Sequence, residues 1–131
     1  MKNSIAELQA CQDMTARVTF RLRIDVDDQP AFGPGKLKLL ESICETGNVG
    51  VSAKALGMSF NRAWLLIHEM NQLMEQAVVV VDKYNKDATK LSDAGLTLLK
   101  EFRQLEIDLH QTTQGRVSQI LKLLKKKPVG N

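Results

Sequence analysis

The sequence has few of the residues on which metal, redox or membrane chemistry depends. Its 131 residues contain two cysteines, Cys11 and Cys44, which lie far apart with no CxxC motif and no histidine at ligand spacing. Neither a zinc site nor a redox pair is therefore indicated. No apolar run approaches the roughly 20 residues that cross a bilayer, and the N-terminus has no apolar segment of the signal-peptide kind. We expect a cytoplasmic protein with no metal and no membrane partner.

Groups arranged for catalysis are also scarce. The two histidines, His68 and His110, lie far apart in the sequence, and no glycine-rich loop that cradles phosphate is present. No sequence motif places a general base beside a potential nucleophile. We therefore expect no enzyme and no cofactor, and no motif identifies a small-molecule effector. The formal net charge of +3 favours a polyanionic partner, although many proteins that never touch nucleic acid are as basic.

Two helices separated by a short glycine turn are predicted between Val51 and Met74. Gly57 stands where the chain must turn sharply, and glycine tolerates the positive φ that such turns often need. Ser59 offers a hydroxyl to the free backbone N–H groups of the second helix, which we predict to begin at about Phe60. This outline is that of a helix-turn-helix.

The second helix has an apolar and a polar side when its residues are placed at about 100° intervals. The apolar side, which we predict to be core, consists of Phe60, Ala63, Trp64, Ile67, Met70 and Met74. The polar side consists of Asn61, Arg62, Leu65, His68, Glu69 and Gln72. In a major groove, Asn can pair with adenine, Arg with guanine and an apolar group with the thymine methyl. We predict that Asn61, Arg62 and Leu65 read bases, while an ordinary amphipathic helix with a solvated face is the alternative.

Two short β segments follow this helix. The run from Ala77 to Val81 is short and β-branched, which favours a strand, and a polar loop leads to a second segment beginning at Thr89. A lysine-bearing hairpin directly after a recognition helix is typical of a wing, which can contact the DNA backbone. A plain surface hairpin is the alternative. The residues predicted to bind phosphate are Lys54, Ser59, Lys83, Lys86 and Lys90.

The segment before the motif has the pattern of a strand, a turn and a helix. Apolar and polar residues alternate from Val18 to Val26, which predicts a half-buried strand. A turn follows, after which the chain around Phe32 can pair back as a short second strand. A helix then begins near Pro34 and ends before Gly47, in agreement with the usual positions of these residue types.

The C-terminal part is predicted to be helical. Ser92 is placed to cap a helix in which apolar residues follow a four-three-four spacing, a seam like that of a coiled coil. The residues of this seam are Leu98, Phe102, Leu105 and Leu109. The pattern is interrupted near Gly115 and then resumes, which indicates two helices or one kinked helix. A second copy of the chain is the simplest partner for the seam; the alternative is that it folds back over its own core.

Three segments together resemble the DNA-binding domain of the ModE family of molybdate-responsive transcriptional regulators. They are AFGPG, LLESICETGNVGVSAKALGMSFNRAWLLIHEMNQL and LSDAG, and the resemblance covers roughly Thr19 to Leu109. Its most specific part is GMSFNRAWLLIHEMN, in which the family pattern has Gly-Met-Ser, an aromatic residue, a basic pair, Ala-Trp and a later Met-Asn. The resemblance implies a winged helix, dimerisation through the first and terminal helices, and control of transcription at a two-fold related DNA site.

The sequence departs from the family pattern in three places. Asn61 stands where the family usually has a second basic residue. The wing segment DKYNKDA contains no glycine, whereas the family's wing is typically glycine-rich, so we expect a shorter and stiffer wing. The chain ends before any C-terminal oxyanion-binding module, so regulation by molybdate is not expected to carry over.

We therefore predict a mostly α fold with a small β wing: a winged helix-turn-helix with an N-terminal strand or hairpin and C-terminal dimerisation helices. The predicted divisions are an arm over residues 1–17, the DNA-binding domain over 18–91, a helical dimerisation segment over 92–127 and a tail over 128–131. The predicted function is that of a transcriptional regulator that binds double-stranded DNA as a homodimer. The alternative is a protein-interaction module that has lost DNA binding and pairs with another regulator.

Overall fold

The computed structural model describes residues 15–85 and 88–125. Contacts along the chain divide it into two compact units. The first unit is Arg21–Glu106, and the second consists, among the described residues, of residues 15–20 and 107–125. Lys86, most of the predicted arm and the predicted tail lie outside the described residues. Within the described ranges, no helix is both long and apolar enough to cross a membrane.

The first unit begins with a hairpin and a helix. Strand β1 (Ile24–Val26) pairs antiparallel with β2 (Gln29–Phe32). The two turn residues are aspartates with positive φ values of 51° and 63°, a conformation that Asp adopts more readily than most residues. Helix α1 (Pro34–Thr46) follows and ends at Gly47, whose φ of 69° allows its N–H to donate to the Ile43 carbonyl at 2.8 Å. The predicted bounds of this helix are confirmed.

The predicted strand from Val18 to Val26 is wrong over most of its length. Only its last three residues are in a strand, and all three are exposed rather than half-buried. The physical reason is the length of the partner, since β2 has four residues and contains Pro30, which has no N–H for a ladder hydrogen bond. Alternation alone cannot extend a strand beyond the partner that pairs with it. Leu22 instead packs against the hydrophobic core from an irregular segment.

Helices α2 (Val49–Ala55) and α3 (Phe60–Leu73) form the helix-turn-helix. Asn48 caps α2, because its Oδ1 accepts a hydrogen bond from the Val51 N–H at 2.8 Å. Gly57 has a φ of 70°, as the predicted turn requires. Ala53, in α2, is 1% exposed, and its small side chain lets the two helices approach closely. The core of the first unit consists of Ala31, Phe32, Leu37, Leu39, Leu40, Ile43, Val49, Ala53, Ala63, Leu66, Ile67, Met70, Val78, Val79, Leu91 and Phe102.

The predicted apolar side of α3 is correct in its middle and wrong at its start. Ala63, Ile67 and Met70 are at most 2% exposed, but Phe60 is 55% exposed because the first turn of the helix extends beyond the core. Leu66 is 8% exposed, although the sequence analysis did not place it in the core. It is buried because it lies on the side of α3 that faces β2. Trp64 and Met74 are partly buried against the core.

Strands β3 (Val79–Val81) and β4 (Thr89–Leu91) form the predicted hairpin. They pair antiparallel with Val79 opposite Leu91. Two anchors fix the hairpin to the helices. The Asn71 side chain of α3 accepts from the N–H groups of Val78 (2.8 Å) and Val79 (3.3 Å), and the Thr89 N–H donates to the Gly47 carbonyl at 2.9 Å. The wing is therefore held by hydrogen bonds at both of its strands.

The N-terminal end of helix α4 (Asp93–Thr112) packs closely against the wing. Ser92 accepts from the Gly95 N–H at 3.1 Å, which confirms it as the predicted cap, and its hydroxyl donates to the Ala77 carbonyl. Arg103 of α4 donates two hydrogen bonds to Glu41 of α1, the shorter at 2.9 Å, and one to Glu106 at 2.8 Å. Glu106, and after it Glu41, raises the pKa of Arg103 above its ordinary value, against the lowering effect of partial burial.

The predicted seam of α4 is divided between two environments. Phe102 is 5% exposed and Leu98 is packed against the core, so this half folds over its own domain. Leu105 is 45% exposed and remains open to a partner. Helix α5 (Gln114–Leu121) follows after a single turn residue, Thr113, which confirms that the C-terminal part consists of two helices. The alternative that the seam folds back over its own core therefore holds for Leu98 and Phe102.

Candidate nucleic-acid interface

The first turn of α3 is shaped by its N-cap. Ser59 has an extended backbone, with φ −71° and ψ 157°, and its Oγ accepts from the Arg62 N–H at 3.0 Å. This capping bond fixes where the helix begins, so the residues that follow have defined directions. The predicted phosphate-binding role of Ser59 is compatible with capping, because the hydroxyl hydrogen still remains available as a donor.

The polar side of α3 is exposed as predicted. Asn61, Arg62, Leu65, His68, Glu69 and Gln72 are all exposed. Leu65 is 46% exposed at the centre of this face. The structure thus brings the three predicted base-reading residues together on one exposed face of α3. Such a face can contribute amide, guanidinium and apolar groups to a base edge.

An ion pair on the β2 side of α3 moderates the negative charge of Glu69. Lys36 of α1 places its Nζ 3.3 Å from the Glu69 carboxylate, and the same Nζ donates to the Ala31 carbonyl at 3.1 Å. The Lys36 side chain is only 14% exposed, so the pair is partly shielded from solvent. A lone carboxylate on this helix would repel a phosphate backbone, and the ion pair reduces that repulsion.

The predicted phosphate-binding lysines that the structure describes lie on α2 and in the wing. Lys54 is exposed on α2, and Lys90 is exposed on β4 opposite Val80. Lys83 is exposed in the wing loop with its Nζ 5.5 Å from the centroid of the Tyr84 ring. The Asp82 carboxylate accepts from the N–H groups of Tyr84 at 2.8 Å and Asn85 at 3.0 Å, which orders the start of the loop without any glycine.

Phe60 is the residue of this surface that the sequence prediction missed. The helical period assigns it to the core, yet its ring is exposed beside Asn61. The feature of the sequence that indicates the exposure of Phe60 is its position directly after the capping residue Ser59. A residue in the first turn lies beyond the packed middle of the helix, so the period alone overstates its burial.

The fold and this surface define the class of the protein: a winged helix-turn-helix domain, as predicted. The DNA-binding domain of CbnR, solved in complex with DNA, superposes with a TM-score of 0.50 over 64% of this chain and 94% of that domain. The sequence identity is 20%, so this likeness shows the fold alone. No family model matches the chain.

Relatives in sequence include ModE proteins. The chain is 32% identical over 111 residues to the molybdenum transport protein ModE of Azotobacter vinelandii, which covers 82% of this chain and 41% of that protein. It is 34% identical over 98 residues to the DNA-binding transcriptional dual regulator ModE of Escherichia coli K12, which covers 74% of this chain and 34% of that protein. The predicted resemblance to the ModE family is therefore confirmed, and the match is to the N-terminal portion of these relatives.

Proposed function

We propose that this chain is a DNA-binding transcriptional regulator that acts as a homodimer on a two-fold related site. Helix α3 enters the major groove, where Asn61, Arg62 and Leu65 contact base edges. Two copies place their α3 helices in successive major grooves, about 34 Å apart along one face of the duplex. The chain spans about two fifths of the Azotobacter protein and one third of the Escherichia coli protein, so the proposal concerns this domain.

The observation that carries the proposal is the contrast between the two sides of α3. Ala63, Ile67 and Met70 are at most 2% exposed on one side, while Arg62 and Leu65 are exposed on the other. The buried side fixes the helix rigidly to the domain, and the other side projects the side chains that read base edges. The relative from Escherichia coli is named as a DNA-binding transcriptional regulator, which supports the same function for this domain.

The charges of the domain suit a phosphate backbone on either side of α3. Lys54 of α2 and the wing residues Lys83 and Lys90 are exposed, and we propose that they bind phosphates together with Ser59. Such contacts release counterions, so the affinity should fall steeply as salt is added. Both strands of the wing are fixed to the helices by hydrogen bonds, so Lys90 of β4 approaches the DNA without a large loss of chain entropy.

The homodimer is proposed from apolar side chains that the C-terminal helices leave exposed. Leu105 near the middle of α4 is 45% exposed, Ile120 of α5 is 56% exposed, and Leu124, which follows the end of α5, is 45% exposed. Exposed apolar residues on terminal helices are typical of dimer interfaces. A second copy of the chain supplies the same residues and so the same kind of surface.

The test begins by selecting bound duplexes from a random pool with the full chain. The affinity of the selected duplex is then measured by gel-shift titration for the wild type, Arg62→Ala and Lys38→Ala. Lys38 is exposed on α1 and is not among the residues proposed to contact DNA or the second copy, so its variant is a control for the loss of one positive charge. We expect Arg62→Ala to lose more than about 1 kcal/mol, or roughly fivefold in affinity, and Lys38→Ala to bind nearly as the wild type.

Salt dependence separates the proposed function from its alternative. A steep decline of the association constant with added salt supports DNA binding through phosphate contacts. Flat, negligible binding with no selected duplex contradicts the proposal and favours a module that pairs with another regulator. Equal affinities of the wild type and Arg62→Ala contradict the base-reading role of Arg62 alone.

A further inference from the structure

The aromatic ring of Phe60 lies at the edge of the exposed face of α3. Its side chain is 55% exposed, although full burial of a phenylalanine is worth roughly 1.5–3 kcal/mol where neighbours can supply it. The residue occupies the first position of the helix and precedes Ala63, the first buried residue of α3. An apolar ring is therefore held outside the core at the end of the helix that the proposed function places in DNA.

Two contacts give the ring a defined orientation. The centroids of the Phe60 and Trp64 rings lie 6.2 Å apart at an interplanar angle of 71°, an edge-to-face arrangement. The ring also lies against Gly50 of α2, where a Cβ would stand 3.7 Å from Cδ1 and 3.8 Å from Cε1 of Phe60. Because these contacts exist before any ligand arrives, little side-chain entropy remains to be lost on binding.

The neighbours of Phe60 indicate which group it meets. Its ring lies on the side of α3 that faces α2, whereas Arg62 lines a groove on the opposite side together with Pro30 and Lys36. Base edges in the major groove offer mostly hydrogen-bonding groups, and the apolar group among them is the 5-methyl of thymine. Phenylalanine is one of the side chains that contact this methyl.

We infer that Phe60 is a specificity-determining residue that contacts a thymine methyl, on the α2 side of the bases read by Asn61 and Leu65. The inference rests on the proposed function. It adds one base to those that the recognition helix distinguishes. Leu65 can contact a different thymine methyl, because it lies more than one helical turn further along α3. The recognition helix then reads apolar groups at two positions of each half-site.

The experiment removes one methyl group at a time from the DNA. Each thymine of the selected duplex is replaced in turn by uracil, which lacks only the 5-methyl, and affinities are measured for the full chain and three variants. The variants are Phe60→Ala, Phe60→Gln and, as a matched control, Leu65→Ala. We expect a uracil at one position of each half-site, distinct from any thymine that Leu65 contacts, to weaken wild-type binding about fourfold, the ratio for one methyl-sized group removed from contact. Phe60→Ala and Phe60→Gln should be insensitive to that replacement, and Leu65→Ala should retain the sensitivity.

Each outcome decides the inference. A wild type that selects a duplex but shows the same uracil sensitivities as both Phe60 variants overturns the inference and leaves the proposed function in place. If Leu65→Ala is the only variant that loses sensitivity, at every uracil position that weakens wild-type binding, the methyl contacts belong to Leu65 and the inference is also overturned. A wild type that selects no duplex contradicts the proposed function and the inference together. The exposed position of Phe60 makes both of its variants compatible with folding, which thermal unfolding of the free proteins checks.

Discussion

Gly95, in the first turn of α4, is a position where one methyl group should destabilise the domain. A Cβ built there would lie 2.2 Å from the Val78 carbonyl oxygen, 3.1 Å from its carbon and 3.2 Å from Cβ of Leu91. The Val78 backbone cannot yield easily, because its N–H is bound by Asn71 at 2.8 Å and its carbonyl by the Ser92 N–H at 3.0 Å. The overlap must therefore move α4 away from the wing.

The expected magnitude for Gly95→Ala follows from two opposing terms. Overpacking costs about 1–3 kcal/mol, and contact with fixed backbone places this case near 3 kcal/mol. Alanine gains up to about 1 kcal/mol over glycine in a helix. We expect the free energy of unfolding, measured by urea denaturation, to fall by about 2 kcal/mol. The matched control is Gly35→Ala in the first turn of α1, where a Cβ meets nothing within 4 Å and stability should stay equal or rise slightly.

The comparison between the two glycines isolates the steric effect. Both stand in the first turn of a helix, and both changes add the same methyl group. Similar free energies of unfolding for Gly95→Ala and Gly35→Ala would refute the argument that α4 is docked on Val78 by backbone contact. A loss confined to Gly95→Ala supports it.

Two further variants test the wing anchor and the dimer. Asn71→Ala removes hydrogen bonds to the Val78 and Val79 backbone, so the free energy of unfolding should fall by about 2 kcal/mol in the same urea assay. The control is Gln72→Ala at the exposed neighbouring position, which should change the free energy of unfolding by less than about 0.5 kcal/mol. Ile120→Glu places a charge on the exposed apolar face of α5, so we expect light scattering to show a monomer. Gln119→Glu is the control, and we expect it to be dimeric. A dimeric Ile120→Glu would exclude this face of α5 from the interface.

Local chemistry made several features of the fold predictable. Ser59 and Gly47 fix helix ends through single hydrogen bonds and one positive φ, so they can be read from a few adjacent residues. The exposure of Asn61, Arg62 and Leu65 was predictable because the buried residues of α3 recur with the helical period. These statements depend on interactions within about one helical turn, which the sequence determines by itself.

Tertiary structure decided the features that depend on distant partners. The alternating segment that begins at Val18 forms a strand only where β2 reaches it, and β2 is short. The apolar period of α4 is continuous, yet Phe102 is buried and Leu105 is exposed, because the core beneath the helix ends between them. Phe60 has the period of a core residue and is exposed for the same reason. A sequence pattern records which side chains are apolar, whereas the extent of the neighbouring elements determines which of them are covered.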